Sequence, residues 1–568
     1  MHTAIKLISE LESLGVDYAF GYPGGRVIEL FEALSESSIT VVRPRDEREA
    51  SIMAEMYGRY HGDPGVLMGQ GPWIGSLGAV GQMEARLGSS PMVTLTEASE
   101  RGNYSTLAPY QQSRGDYGGI DLPSILGAIT KEHWFPRTPS ETIRSTQLAF
   151  KHATGNRPGP TAVILDGDAI TSDFDEDIVP QVWDTEEQVR NWKPRPRDND
   201  VAAAKEALET AERPVIIAGN GVHAAGAYEG LRKVAEAFGC VVTTSYLGKS
   251  SFPETHAQAA GVIGAFGHEG ANCAVSEADT LLVVGCRLNP MDTNWQAPEF
   301  IRPDEQTIIH ADIDTRNAGW VYPADVGLIG DAAATLQALG ENAEGTKDTE
   351  WAIERAEWAQ EDFQTDAGED DQQPMKPQRA VKAIEANVDT ETVITADSGN
   401  NRFWLLNYLQ SPAVRTYFGS GGVGSMGWAT PAAVSLAVTT DRDVIGVAGD
   451  GGFAMTMTSI ETAVDHGVDP VIIVLNDTSL GMVRQMQDEN SPIEGVEFHD
   501  TDFVAVAAGL GAESTRVDTA AELRTTLADA LAAERDIPTV IDARIDRDEE
   551  MEETLQSSFY GSVGGLHE

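Results

Sequence analysis

The sequence predicts an α/β protein of three domains, each a parallel sheet flanked by helices, and three observations carry that prediction. The first is length: at 568 residues the chain exceeds a single hydrophobic core, and at roughly 150 residues per domain it has room for three or four. The second is a recurrence of short apolar runs, VIIAG (215–219), TLLVVG (280–285), VIGVAG (444–449) and VIIVLN (471–476), alternating with amphipathic helical patterns. Such runs read as strands buried on both faces. The third is a pair of polar, acidic stretches, about 172–200 and 341–377, which read as linkers. They leave blocks at 1–171, 196–342 and 376–550.

Composition narrows the function classes. With 41% hydrophobic and 7% aromatic residues the chain falls in the ordinary globular range. Its 89 acidic residues oppose 40 basic ones, a formal net charge of -49, which argues against nucleic acid or an anionic membrane as partner. The acids are spread through every segment rather than pooled in a tail. They read as belonging to a high-salt cytoplasm, where the Debye length shrinks to about 3 Å at 1 M and self-repulsion becomes tolerable. Cys240, Cys273 and Cys286 form no CxxC pair, so neither a disulfide framework nor a zinc site is expected. The N-terminal twenty residues carry Glu10, Glu12 and Asp17 where a signal peptide needs an apolar run, and no stretch approaches about 18 apolar residues. A soluble, cytoplasmic protein is expected.

The segment 444–487, VIGVAGDGGFAMTMTSIETAVDHGVDPVIIVLNDTSLGMVRQMQ, carries the chemistry. It parses as strand, glycine loop, a helix from about Phe453 to near Gly467, then a strand opened by Pro470. Asp450 and Asp477 therefore fall at the carboxyl ends of successive strands, where open α/β sheets bind ligands. The helix between them offers N–H groups to a phosphate. A lone GDG is an ordinary turn with an exposed Asp; two carboxylates there suit a hard cation such as Mg²⁺ or Ca²⁺ bridging to a diphosphate.

GDGG, with 26 residues between Asp450 and the Asp477 of LNDTSLGMVRQ, resembles the thiamine-diphosphate motif of the acetolactate synthase and pyruvate decarboxylase superfamily. The resemblance implies a metal held by Asp450, Asp477 and the backbone carbonyl of Ser479, with Gly449, Gly451 and Gly452 at the diphosphate. Asp477 stands where relatives more often carry Asn, adding a negative charge. VVRPRDEREASIMAEMYGRYHGDPGV (41–66) resembles the family's RHExxA signature and matches Glu47 to its catalytic Glu. That residue hydrogen-bonds the aminopyrimidine and promotes loss of the C2 proton. Asp46 stands where many relatives carry His. FGYPGG (20–25), with Gly24, precedes Glu47 at a family-like spacing. FGSGGVGSMGWATPAAVSLAV (418–438) resembles the GxGxMGxxLPAA run, matching Gly424 and Met426 to pyrimidine contacts. Ser398, Gly399 and Asn400 in TADSGNNRFW match the region that approaches the diphosphate.

The resemblance spans nearly the whole chain. It implies a pyrimidine-binding first domain, a Rossmann-like central domain and a diphosphate- and metal-binding third domain. RPVIIAGNGV (213–222), LLVVGCRLNP (281–290) and IIHADID (308–314) are similar to the core that carries FAD in acetolactate synthases. RLNPMD keeps Arg287 but lacks the acidic pair of the usual RFDDR. Substrate contacts are implied at Gln111, in YQQ (110–112), and at Met486, where relatives carry Trp. Gln112 replaces an acid, and Trp73 in GQGPWIG (69–75) replaces a small residue.

The implied activity is a carboligase: a 2-oxo acid, by default pyruvate, is decarboxylated on thiamine diphosphate and the enamine joined to a second carbonyl. The alternatives are a related decarboxylase or acyltransferase acting on a bulkier or sulfonated 2-oxo acid, a flavin oxidase, or a non-catalytic relative, the last disfavoured by retention of Glu47. In the family Glu and metal ligands come from different subunits, which implies a homodimer or homotetramer with interfacial sites, and a regulatory subunit is a further implied partner.

Overall fold

The computed structural model describes residues 2–98, 111–116, 118–174, 192–341, 343, 349–487, 492–533 and 535–551. Three six-stranded sheets organise them, and every pairing between named strands is parallel. The first contains β1 (Tyr18–Gly21), β2 (Thr40–Val42), β3 (Gly65–Gly69), β4 (Met92–Ala98), β5 (Glu132–Trp134) and β6 (Pro160–Asp166), in the order β2-β1-β3-β4-β6-β5. The second contains β7 (Pro214–Ala218), β8 (Val241–Thr244), β9 (Ala259–Val262), β10 (Thr280–Val284), β11 (Thr307–Asp312) and β12 (Val326–Ile329), in the order β12-β11-β10-β7-β8-β9. The third contains β13 (Val393–Ala396), β14 (Tyr417–Gly419), β15 (Val444–Gly449), β16 (Val471–Asn476), β17 (Glu513–Val517) and β18 (Thr539–Arg544), in the order β14-β13-β15-β16-β18-β17.

Burial explains why these segments are strands. β3, β4, β6, β7, β10 and β16 are buried at every residue, as helices on both faces of a parallel sheet require, whereas the edge strands β5 and β17 are mostly exposed or half-buried. Counted within each block, the first and third sheets share one order, 2-1-3-4-6-5, and the middle sheet has the doubly wound order 3-2-1-4-5-6.

Two local expectations are corrected. β15 runs straight into a helix, Asp450–Thr456, with Gly449 extended at its N-cap, so Gly451 and Gly452 lie in a first helical turn and not in a loop. A second helix, Ser459–His466, follows and ends at Gly467 with φ +60, the left-handed cap that glycine supplies. The stretch 341–377 is no plain linker: it contains the helix Glu350–Glu361, whose Ala352, Ala356 and Ala359 are buried. Ala359 packs against Gly270, where a Cβ would lie 2.7 Å from the alanine methyl. The other expected linker holds the start of a helix at Asp198, and its residues 175–191 lie outside the described ones.

The chain divides into two compact units. One takes the residues up to Trp192 together with Gly421–Thr440 and Thr458–Gly467; the other takes Lys193–Ser420, Asp441–Met457 and the residues from Val468 onward. Helices Ala429–Thr439 and Ser459–His466 thus sit in the first unit although they connect strands of the third sheet. In the second unit one core joins Val262 and Phe266 of the central domain to Ile394, Phe403 and Ile473 of the third. The three cysteines are free. Among the described residues no helix is long and apolar enough to cross a membrane.

Candidate active site

In the second unit, the strand order of the third sheet reverses between β13 and β15, and such a switch point opens a crevice at the carboxyl ends of the strands. Ser398, Gly399 and Asn400 follow β13 there, Gly449 and Asp450 end β15, and Asp477 follows β16. Gly399 has φ +123, a conformation that glycine alone adopts without strain. Asp477 and Asn400 converge on Gly481: a Cβ at that glycine would meet Asp477 Oδ2 at 2.5 Å and Asn400 Nδ2 at 3.3 Å.

The turn carrying Asp477 is strained and clamped. Thr478 has φ +58, an outlier for a β-branched residue. Its N–H donates to Asn476 Oδ1 (3.1 Å), and its carbonyl accepts from Phe498 N (2.8 Å). Leu480 N donates to Val496 O (2.8 Å), so Ser479 is the non-hydrogen-bonded partner of Glu497, with its own N–H and C=O facing away from that segment. The Ser479 N–H goes to Asp477 Oδ1 at 2.9 Å.

Asp450 is 5% exposed; burial, then the charge of Asp477, pushes it up to about 7, and burial also raises Asp477. Asn400 Oδ1 is buried without a hydrogen-bond partner, and the Ser479 side chain interacts with Asp477. Among the described residues no group of three His, Cys, Asp or Glu side chains could hold a metal, so the donors here are two carboxylates and neutral oxygens, a set that fits a hard cation with further ligands from a diphosphate. Met486 lies just beyond the short helix Gly481–Arg484, half-buried, its N–H on Val483 O.

In the first unit, Glu47 opens the helix Glu47–His61. Asp46 is the N-cap and accepts from Glu49 N at 3.0 Å, a role that suits Asp and accounts for the acid at this position. Glu47 is 7% exposed, and burial, with a smaller contribution from Asp46, raises its carboxyl above the ordinary range. A Cβ at Gly69 would lie 3.4 Å from Glu47 Cγ, and one at Gly24 would lie 3.1 Å from Gln70 Oε1. Gln70 Nε2 donates to Gln111 Oε1 at 3.1 Å. Gly24, Glu47 and Gln111 thus gather around Gly69–Gln70, at the switch point between β1 and β3. The residue after Glu47 reaches the second motif: Arg48 Nη2 donates to Met426 O at 3.1 Å. Beside Met426 and Gly424, Ser425 Oγ is buried without a partner.

Of the altered positions, Gln112 is buried with neither amide atom hydrogen-bonded, while Trp73 is exposed; Tyr110, the first residue of YQQ, lies outside the described residues. Pattern reading passed over Gln70, Arg48 and Glu84. Gln70 follows the last residue of a legible strand and could have been found on that ground; Arg48 and Glu84 act on residues more than 300 positions away and left no local signal.

Three family models match the chain: thiamine pyrophosphate enzyme, N-terminal TPP binding domain, at residues 1–118; central domain at 201–339; and C-terminal TPP binding domain at 397–543. Fold and site therefore define a thiamine-diphosphate enzyme built from three α/β domains. The chain is 32% identical to a probable acetolactate synthase large subunit of Methanocaldococcus jannaschii, covering 96% of this chain and 92% of that protein. It is 30% identical to the acetolactate synthase large subunit of Corynebacterium glutamicum (96% and 87%) and 28% identical to the isozyme 3 large subunit of Escherichia coli (96% and 94%). It belongs to the acetolactate synthase family.

Proposed function

We propose that the chain decarboxylates a 2-oxo acid, by default pyruvate, and joins the remaining fragment to a second carbonyl compound, forming acetolactate when both are pyruvate. The observation that carries this reading is the buried Asp450 beside the half-buried Asp477, with the unpartnered Asn400 Oδ1 near them, together with a buried Glu47 in the first unit. In this reading Mg²⁺ is held by Asp450, Asp477 and the Ser479 carbonyl. The diphosphate lies against Gly449, Gly451, Gly452, Ser398, Gly399 and Asn400, and the pyrimidine against Gly24, Glu47, Gly424 and Met426. The cofactor, when bound, supplies the carbon nucleophile and the electron sink that decarboxylation requires.

The side chains do the rest. Glu47, whose carboxyl burial raises above the ordinary range, is the acid that would hydrogen-bond a ring nitrogen of the bound cofactor and hold or release a proton there. Asp450 and Asp477 would fix the cation from the carboxyl ends of β15 and β16. Gln111, oriented by Gln70, and Met486 contact the substrate. Met486 in place of Trp gives a smaller and more adaptable wall, which favours as second reading a decarboxylase or acyltransferase with a bulkier 2-oxo acid.

FAD fits less well. At the switch point of the central sheet, between β7 and β10, Gly221 N donates to Gly285 O at 3.0 Å, and a Cβ at Gly221 would lie 2.6 Å from Gly285 Cα, so the two strand-end loops meet backbone to backbone there. Domain limits of 1–171, 196–342 and 376–550, a cytoplasmic location, assembly into a homodimer or homotetramer and a regulatory subunit complete the proposal, the last because the relatives bear the name large subunit.

The test is to incubate the protein with thiamine diphosphate, Mg²⁺ and pyruvate at high salt, measuring acetolactate and CO₂ separately. Both are expected, and Glu47→Gln should slow C2 hydrogen exchange by about 10²–10⁴-fold with cofactor still bound. CO₂ without acetolactate overturns the synthase reading.

A further inference from the structure

The run Gly421–Gly424 donates four consecutive backbone N–H groups to one side chain of the same compact unit. Gly421 and Gly422 reach Glu84 Oε1 at 2.8 and 2.6 Å, and Val423 and Gly424 reach Glu84 Oε2 at 2.8 and 3.3 Å. Successive N–H groups turned to one side make an anion-binding concavity, and here the anion is supplied by the chain itself. Glu84 lies on the helix Ala79–Gly88 and is fully buried. The glycines permit the approach: a Cβ at Gly422 would come within 2.6 Å of Glu84 O and 2.9 Å of Gly88 N.

A buried network fastens the rest of the segment. Arg59 Nη2 lies 3.0 Å from Glu84 Oε1 and 2.7 Å from Glu55 Oε1. Glu55 Oε2 accepts from Trp428 Nε1 at 3.0 Å. Burial alone would raise the Glu84 carboxyl, but Arg59 and the loop N–H groups hold it below its ordinary value, so it is an anion in the folded protein. Residues 421–428 are therefore held at both ends by buried carboxylates and in the middle by Arg48 on Met426 O.

We propose that Glu84 is a positioning residue for the cofactor: by gathering the four N–H groups of 421–424 it fixes the backbone of Gly424 and Met426 in the conformation that receives the aminopyrimidine. This rests on the reading above that Gly424 and Met426 contact thiamine diphosphate. The role requires a carboxylate. In Glu84→Gln one oxygen still serves two donors, but the amide N–H₂ opposes the other two, whereas Glu84→Asp keeps both acceptors on a shorter stem.

The experiment measures thiamine diphosphate binding by titration calorimetry, amide hydrogen exchange at 421–424, and kcat at saturating cofactor, for the wild type, Glu84→Gln and Glu84→Asp. Glu84→Gln should weaken cofactor binding about tenfold or more and speed exchange of the four amides by a similar factor, with kcat at saturation far less affected; Glu84→Asp should recover part of both. A merely structural role would lower the melting temperature and leave the affinity of the folded protein unchanged. Wild-type affinity and exchange in Glu84→Gln overturn the proposal alone. A wild type that binds no thiamine diphosphate overturns the functional reading and this proposal with it. Should Glu84→Gln fail to fold, the wild type decides: exchange of the four amides at open-loop rates overturns the clamp, and protection like that of the Ala79–Gly88 helix supports it.

Discussion

Two residues beyond Glu47 stands a carboxyl in a drier place. Glu49 is 1% exposed, accepts from the Arg45 N–H and the Thr458 hydroxyl, and is pushed up to about 7 by burial, which those hydrogen bonds only partly offset. An acid whose folded value lies above its unfolded one stabilises the fold only while protonated. That contribution is complete below the unfolded value of 4.5 and disappears as pH rises through about 7. Relative to Glu49→Gln, the wild type should therefore lose unfolding free energy between those limits, by roughly 1.4 kcal/mol for each unit. Above about 7 the difference should level off. Urea unfolding of both proteins across this range checks it, and parallel curves would show that Glu49 titrates normally. At this scale a local signature is enough to single out Glu47, which the structure places, buried, at the start of a helix. The signature does not reach the environment of Glu49, whose partner Thr458 lies 409 positions away.

Elements were legible where their composition is distinctive. Runs such as Val215–Ala218 and Val471–Asn476 are too apolar to be anything but buried, and they are strands. The helix Glu350–Glu361 escaped notice because its buried face is alanine amid acidic residues, giving little apolar contrast. The helix beginning at Asp450 was placed three residues late because glycines at 451 and 452 weigh against helix by propensity, while β15 delivers the chain already aligned for the first turn. One connection between elements rests on charge. Lys249, following β8, lies 2.7 and 2.6 Å from the Glu254 carboxylate oxygens and 2.8 Å from Leu409 O, and Glu254 also accepts from Ser411 N at 2.7 Å. With Lys249 and Glu254 both buried, the pair fastens the central domain to the segment leading into β14. Lys249→Met should cost about 3–5 kcal/mol, because it strands a buried carboxylate, and adding Glu254→Leu should recover most of that. Denaturant unfolding checks both; a single variant as stable as the wild type would place the attachment in the surrounding apolar core instead.

For the whole molecule, the shared strand order of the first and third sheets was not legible, since topology depends on which strands pair and not on what each contains. Nor was the placement of Ala429–Thr439 and Ser459–His466 in the first unit, which follows from contacts such as Ser435 Oγ to Met53 O at 2.8 Å. What composition does set at this scale is the field. A net charge of -49 on one chain opposes compaction. The surface ion pairs, such as Arg43–Asp465 and Arg547–Glu497, are worth about 0–1 kcal/mol each and leave most acids unpaired, since acids outnumber bases by more than two to one. Screening relieves this repulsion, because the Debye length falls from about 10 Å at 0.1 M to about 3 Å at 1 M salt. Unfolding expands the chain and dilutes its charge, so salt should stabilise the folded state preferentially. With an unfolding entropy of about 2.1 cal/mol/K per residue, a gain of about 3 kcal/mol over 568 residues would raise the melting temperature by roughly 2–3 °C. Thermal unfolding in KCl from about 0.1 M to about 2 M measures it, with an uncharged osmolyte series to separate screening from solute exclusion. A rise confined to KCl supports the reading of a chain suited to a high-salt cytoplasm, and a flat or falling midpoint overturns it.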